Sequence, residues 1–226
     1  MRKLIITLLV LAALLVVVDR VTQAAAQREV AQQVAQTYDL PDEPDVRIRG
    51  FPFLTQALGG RYREIDMITQ KITVEDFRLE RLDVQLNDVD APLQALLQRD
   101  ISEVSAQTVS GHVLVGFSEV RRHLPGGMQV RARGDDLELR GRATVFGRSV
   151  PVTAVVDVAA RGRTVTFRPT QIEVNGVPGG SFLRDRFSLT LSLRELPMGL
   201  RPTDVRVTDG GVRIAATAED VALSRI

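Results

Sequence analysis

A chain of 226 residues, 44% hydrophobic and 25% charged, has the composition of a globular protein and the length for one sizeable core. The absence of cysteine excludes disulfides, cysteine-ligated metals, a thiol nucleophile and a lipid-modified N-terminal cysteine. The net charge is only +1, the arginines are spread along the chain, and aromatic residues make up 4%. This pattern argues against nucleic acid as a partner.

The N-terminus has the pattern of a membrane-targeting segment. Arg2 and Lys3 precede residues 4–18, which include no charge, glycine or proline. Positive residues before an apolar run keep the N-terminus in the cytoplasm and direct the rest of the chain outward. The run suits a signal peptide and is short for a membrane span, and the alanines at 24–26 offer cleavage sites. We therefore expect residues 1–20 to be a cleaved signal peptide or a retained membrane anchor.

Residues 21–40 are predicted to form an amphipathic helix. Val30, Val34 and Tyr38 repeat every four residues and give one narrow apolar stripe, and Pro41 ends the helix. Two roles stay open for this helix. It is either a stem between membrane and domain, or it packs against the sheet that follows.

Beyond Pro44 the sequence changes to the two-residue alternation of strands, most clearly at 137–145, 150–158 and 187–193. Short helical interruptions are predicted at 53–57, 92–98 and 117–124. Turn-forming residues separate the strand-like runs, at Gly134-Asp135, Gly147, Arg161-Gly162, Asn175-Gly176 and Asp209-Gly210. We expect one domain over residues 41–226, of the α+β class and mostly β, with a long curved antiparallel sheet.

The sequence offers no recognisable active site. His112 and His123 are the only histidines and lack metal-binding spacing. Neither a Gly-x-Ser-x-Gly elbow nor a phosphate-binding loop is present. A pair of catalytic carboxylates from distant strands would escape this search. We therefore expect a protein that is not an enzyme and that binds no metal or cofactor.

Residues 50–62, hereafter the aromatic segment, differ from the rest of the chain. They include two of the eight phenylalanines and one of the two tyrosines. Two interpretations stay open. The apolar side chains either plug one end of the core or form the lip or floor of an apolar cavity. The side chains concerned are Phe51, Phe53, Leu54, Leu58 and Tyr62.

The aromatic segment resembles the actinobacterial LmeA-like phospholipid-binding family. The resemblance lies in Gly50-Phe51-Pro52-Phe53-Leu54-Thr55-Gln56, then Gly60-Arg61-Tyr62, then the strand Ile65-Asp66-Met67, together with the apolar N-terminus that ends at Asp19-Arg20. It implies a cell-envelope protein on the outer, periplasmic side of the plasma membrane, with membrane and phospholipid as its partners. It also implies a tubular lipid-binding fold, in which a curved sheet wraps around a long helix and lipid chains occupy the groove.

The resemblance further implies binding or transfer of phosphoinositide-type phospholipids in support of lipomannan-type glycolipid assembly, with envelope glycosyltransferases as partners. Each buried methylene contributes about 0.8 kcal/mol, so an apolar groove suffices to hold acyl chains. Arg61 and Arg63 are the candidates for the lipid phosphate. The alternatives are a structural or interaction protein of the envelope without a lipid ligand and, ranked last, an enzyme acting on envelope glycolipids.

Overall fold

The computed structural model describes residues 2–74, 77–98, 103–122, 124, 128–145, 148–162, 164–179, 184, 188–192 and 199–223. The described residues form two antiparallel sheets and a long N-terminal helix, and strand is the prevailing structure. The predicted class, α+β and mostly β, is confirmed. Within the ranges given above, neither sheet is closed.

Helices within the described residues are α1 (Arg2–Thr37), α2 (Phe53–Gly59), α3 (Leu93–Gln98) and α4 (Phe117–Arg122). The three short helices lie where the sequence predicted helical interruptions. The N-terminal helix is continuous, so the apolar run and the segment predicted as an amphipathic helix form one element. It is also long and apolar enough to cross a membrane, by length and composition.

The apolar stripe of α1 is not its buried part. Val30 is 37% exposed and Tyr38 is 50% exposed. The helix instead buries Asp19, Gln23 and Ala31, which are spaced by multiples of four residues. It contacts β1 and α2, and hydrogen bonds of Gln23 and Asp19 join it to them. A hydropathy pattern does not detect polar contacts of this kind. The choice between the two roles left open for this helix stays a prediction.

The strands are β1 (Asp45–Arg49), β2 (Arg61–Val74), β3 (Phe77–Asp90), β4 (Ser105–Gly116), β5 (Gln129–Arg133), β6 (Asp136–Val145), β7 (Arg148–Arg161), β8 (Thr164–Val174), β9 (Val177–Pro178), β10 (Leu189–Ser192), β11 (Arg201–Thr208) and β12 (Gly211–Ala222). One sheet has the order β1-β2-β3-β4-β12-β11. The other has the order β10-β8-β7-β6-β5, with β9 paired to β8.

The predicted long strands and most predicted turns are confirmed. β7 has 14 residues, against a usual strand length of about five or six. Turns follow β5, β8 and β11 at the predicted Gly134, Asn175-Gly176 and Asp209-Gly210, and Gly162 follows β7. Gly147 and residues 187 and 193 of the last strand-like run lie outside the described residues.

The chain divides into two compact units, each assembled from separate stretches of sequence. The first comprises Met1–Thr69, Asp83–Val109 and Ala218–Ile226, and it contains α1, α2, α3 and β1. The second comprises Gln70–Leu82 and Ser110–Thr217. Its core is formed by the buried side chains of Val130, Leu137, Val156, Val158, Val165, Val207 and Val212. A single domain over residues 41–226 stays a prediction.

Candidate functional site: the aromatic segment and the helix beside it

The aromatic segment connects β1 to β2 and contains α2. Its two glycines on either side of α2 have backbone conformations that are unfavourable for residues with a side chain. Gly50 has φ +104°, and a Cβ there would lie 2.7 Å from the amide nitrogen of Gln56. Gly60 has φ +65° and ends α2 in the left-handed conformation. A Cβ on Gly60 would lie 3.0 Å from the Cα of Pro92, so both positions favour glycine.

The side chain of Gln56 joins the two ends of the segment. Its amide nitrogen donates to the carbonyl oxygen of Arg49 at 3.2 Å, at the end of β1. Its oxygen accepts from the backbone N–H of Arg63 at 3.1 Å, at the start of β2. The segment is therefore held in one conformation by its own hydrogen bonds.

Phe53 and Tyr62 belong to the core. Their exposures are 3% and 6%, and their ring centroids lie 6.3 Å apart with the planes tilted by 39°. This is the separation of a favourable aromatic pair. Burial raises the pKa of the Tyr62 hydroxyl above its ordinary value. For these two residues the structure agrees with the interpretation of the segment as a core plug.

Phe51 and Leu58 lie on the surface. Phe51 is 53% exposed and Leu58 is 76% exposed, whereas Leu54 is half-buried. Isolated apolar side chains are common on protein surfaces, but two in one short segment beside an apolar helix call for an apolar neighbour. The aromatic segment therefore has a buried part, at Phe53 and Tyr62, and an exposed apolar part, at Phe51 and Leu58.

Two buried polar side chains of α1 hold the aromatic segment. The Oδ1 atom of Asp19 accepts from the backbone N–H of Leu54 at 2.8 Å, in the first turn of α2. The amide nitrogen of Gln23 donates to the carbonyl oxygen of Ile48 at 2.5 Å. Asp19 is 3% exposed and Gln23 is 8% exposed. Buried polar groups are costly unless they are hydrogen-bonded, so these two contacts favour the observed position of the segment on α1. The Oδ2 atom of Asp19 is buried without a hydrogen-bond partner among the described residues.

Arg20 extends this contact to the exposed part of the segment. Its guanidinium carbon lies 4.9 Å from the centroid of the Phe51 ring, within the range of a cation–π interaction. Its Nη1 atom donates to the side-chain oxygen of Gln23 at 2.7 Å. The guanidinium is thus held in place by two neighbours while most of its N–H groups stay available.

Arg61 and Arg63 are exposed, and within the described part of the chain neither side chain has a hydrogen-bond or ion-pair partner. Strand alternation places both in one row with Ile65, which pairs with the buried Ile48 of β1. By contrast, Arg49 is paired with Asp66 at 2.5 Å, and this contact raises the pKa of its guanidinium. Arg61 and Arg63 are therefore positively charged side chains without a partner among the described residues. They lie at one end of a row of side chains on β2 that also includes the apolar Ile65.

A concave surface lies in the second unit, on β5 to β8. It encloses about 580 Å³, and Arg131, Glu138, Arg140 and Gln171 contribute to its lining. Arg131 donates to the Glu138 carboxylate at 2.9 Å, and Arg140 donates to it as well. Burial beneath the two guanidinium groups raises the pKa of Glu138, but their hydrogen bonds and charges outweigh this and hold that pKa below its ordinary value. The charged lining does not suit acyl chains.

The sequence pattern pointed to the aromatic segment but missed the helix residues that hold it. Asp19 and Arg20 were interpreted only as the charged end of an apolar run. Gln23 was not among the residues that the sequence pattern singled out. The available signal is that Asp19 and Gln23 are four residues apart and so lie about one turn apart on the same side of α1, but the pair is polar and a hydropathy pattern does not detect it.

Residues 17–217 match the profile of the LmeA-like phospholipid-binding family. The chain belongs to the LmeA-like phospholipid-binding family. The resemblance seen in the aromatic segment is thereby confirmed, and membership supports phospholipid binding in a non-enzymatic role. Comparisons with curated proteins and with solved structures give no match. The LmeA-like match begins two residues before Asp19, so it includes the helix residues that contact the aromatic segment.

Among the described residues, no group of three or more histidine, cysteine, aspartate or glutamate side chains is placed to hold a metal ion. The apolar N-terminal helix fits a signal or an anchor, and phospholipid binding fits association with a membrane. The candidate site therefore consists of exposed apolar side chains and exposed arginines.

Proposed function

We propose that this protein works at the outer, periplasmic face of the plasma membrane, where it binds or transfers phosphoinositide-type phospholipids for the assembly of lipomannan-type glycolipids. The observation that carries the proposal is the pair of exposed apolar side chains, Phe51 and Leu58, in a chain of a phospholipid-binding family. They lie in the segment that is hydrogen-bonded to α1 directly after its apolar run.

In this proposal the exposed apolar side chains contact the acyl chains of a lipid as it leaves the bilayer. Arg61 and Arg63 receive the phosphate, because guanidinium groups bind phosphate oxygens through two parallel hydrogen bonds. Both are exposed and free of partners among the described residues. Arg20 joins them as a third candidate, since Phe51 and Gln23 already hold its guanidinium in one orientation.

The experiment that tests this function is lipid identification on the full chain, purified natively from membranes. Mass spectrometry is expected to find co-purified phospholipid, and the protein is expected to take up labelled phosphatidylinositol in preference to phosphatidylcholine. Leu58→Ser is expected to reduce uptake, whereas Val177→Ser, a change at a similarly exposed apolar residue of the second unit, is the matched control. A protein that is reproducibly empty and takes up no labelled lipid contradicts the proposal.

The role in glycolipid assembly needs a separate test in the source bacterium. Deletion of the gene is expected to shorten or deplete lipomannan-type glycolipids, and the Leu58→Ser variant is expected to restore them less well than Val177→Ser. Envelope glycosyltransferases are the expected partners, and crosslinking followed by mass spectrometry identifies them. Unchanged glycolipids after deletion limit the function to phospholipid binding.

A second candidate function is favoured by the burial of Phe53 and Tyr62. An envelope protein with a structural or interaction role would be filled by its own side chains, and these two residues fill the core in that way. The lipid analysis separates the two functions, because a structural protein carries no phospholipid when it is purified natively.

A further inference from the structure

The contacts of Asp19 and Gln23 bear on the choice between a cleaved signal peptide and a retained anchor. Both residues precede the alanines at 24–26, where cleavage was expected. Cleavage there would remove the acceptor bound to the Leu54 N–H and the donor bound to the Ile48 carbonyl. Both side chains are also more than nine-tenths buried, so they are part of the folded first unit. We propose that α1 is a retained anchor whose Asp19–Gln23 turn holds Phe51 and Leu58 in the head-group layer of the anchoring bilayer.

The position of the turn along α1 supports this depth. The four steps from Asp19 to Gln23 rise about 6 Å at 1.5 Å per residue. The head-group region on each side of a bilayer is about 5–8 Å thick, from the difference between total and hydrocarbon thickness. Residues 4–18 of α1 are exposed on all sides, as expected for a segment surrounded by lipid. A turn that directly follows this run therefore lies at the depth of the head groups.

The shortness of the apolar run draws the aromatic segment closer to the bilayer. Fifteen residues span about 22 Å of helix, whereas the hydrocarbon core of a bilayer is about 30 Å thick. A span that is too short is accommodated by local thinning and by flanking residues drawn toward the core. Because Asp19 is bonded to Leu54, the segment moves inward with the helix.

The side chains at this depth have the chemistry of an interfacial surface. Phe51 and Leu58 are exposed and apolar, and the Arg20 guanidinium lies over the Phe51 ring. An arginine beside an aromatic ring suits the boundary where lipid phosphates meet acyl chains. A phospholipid surface is therefore the occupant favoured over a protein partner, since the segment adjoins a helix that already enters that surface.

Intact-mass measurement of the chain extracted from membranes tests the retained anchor. The expected mass includes residues 2–23. An N-terminus between residues 24 and 27 overturns the proposal, because the residues that contact the aromatic segment would then be absent from the mature protein.

Single-cysteine labelling tests the depth, since the chain has no cysteine of its own. Leu58→Cys and Val177→Cys, both at exposed positions, are labelled with an environment-sensitive dye on the full chain in phosphatidylcholine–phosphatidylglycerol vesicles. Lipid-attached quenchers at the head-group level are expected to quench the label at 58 several-fold more than the label at 177. Aqueous iodide is expected to show the reverse order. A label at 58 that is as accessible to iodide as the label at 177 overturns the proposal.

A third variant tests the coupling between α1 and the segment. Adding Gln23→Ala to Leu58→Cys is expected to lower lipid quenching at 58 while the protein stays bound to the vesicles. Equal quenching with and without Gln23 contradicts a role for this turn. A label shielded from iodide but untouched by the lipid quencher indicates a protein occupant and also overturns the proposal.

This inference rests on the membrane location in the proposed function and not on lipid uptake. If the label at Leu58 contacts lipid but the purified protein carries no phospholipid, the membrane-docking surface is supported and the proposed lipid ligand is contradicted. If a chain cleaved before Gln27 still takes up lipid, the proposed function is supported and the retained anchor is contradicted.

Discussion

Phe51 and Phe53 offer a direct test of which part of the aromatic segment serves the fold and which serves the ligand. Phe53 is 3% exposed and packs against Tyr62, whereas Phe51 is 53% exposed and contacts Arg20. Phe53→Ala should cost about 3–5 kcal/mol, as is usual for a buried phenylalanine. For a chain of this size that equals a fall in melting temperature of about 6–20 °C.

Phe51→Ala should behave differently. It removes an exposed ring and one cation–π contact, so it should cost about 0.5–1 kcal/mol in stability. Its main effect should be on phospholipid uptake at a temperature where both variants are folded. The assay is a thermal unfolding curve and a labelled-lipid uptake measurement on the same preparations.

The result that would refute this reasoning is a common effect of the two substitutions. If Phe51→Ala lowers the melting temperature as much as Phe53→Ala, the exposed ring is part of the core. If Phe51→Ala leaves lipid uptake unchanged, the exposed apolar part has no role in binding. Tyr62→Phe is a useful control, since it keeps the aromatic pair and is expected to change neither property strongly.

Three further substitutions test contacts of the fold. Gln23→Ala removes the donor to the Ile48 carbonyl and should cost about 1–3 kcal/mol in urea unfolding. Gly60→Ala should cost at least about 1–2 kcal/mol, because φ is +65° and the added Cβ meets Pro92. Glu138→Gln should destabilise the folded protein at neutral pH. Folding lowers the pKa of this carboxylate, so its ionised form stabilises the folded protein at pH values above the ordinary pKa of 4.5. That difference should disappear as the pH falls through the lower pKa of the folded protein, in unfolding curves recorded across this range.

The first two of these substitutions have matched controls. Gln32→Ala alters an exposed residue of the same helix and should leave stability unchanged. Gly59→Ala adds a Cβ in open space at the end of α2 and should be neutral or slightly stabilising. Equal effects of the two glycine substitutions would contradict the argument from φ and from Pro92. A Glu138→Gln effect that does not vary with pH would show that shape, and not charge, stabilises that cluster.

The strands could be predicted from the sequence because their signal is local. Leu137 and Leu139 alternate with charged residues, and turn residues stand at both ends of the run, so the pattern itself defines β6. Pairing follows from the same pattern, since Leu137 lies opposite Ala132 and Val156. Long antiparallel strands with short turns leave little freedom in topology.

The division of the aromatic segment into an exposed part and a buried part could not be predicted from a local sequence pattern. Phe51 and Phe53 have the same side chain and are two residues apart, yet one is exposed and the other buried. What separates them is the start of α2 at Phe53 and its attachment to Asp19, thirty-five residues away from Leu54 in sequence. A contact between distant polar residues leaves no periodic trace, which is also why the buried positions of α1 could not be predicted from hydropathy.

A retained anchor changes what lipid binding by this chain can accomplish. In a retained anchor the helix turn next to the bilayer would also hold the aromatic segment, because Asp19 and Gln23 are hydrogen-bonded to it, and the exposed apolar part would stay near one leaflet. A protein tethered in this way meets lipids of its own membrane at a high effective concentration, whereas a free carrier must find the surface at each cycle. Such a tether favours withdrawing a phospholipid from the outer leaflet and presenting it to a neighbouring membrane enzyme. It disfavours carriage between distant membranes, because α1 would have to leave the bilayer together with its apolar run.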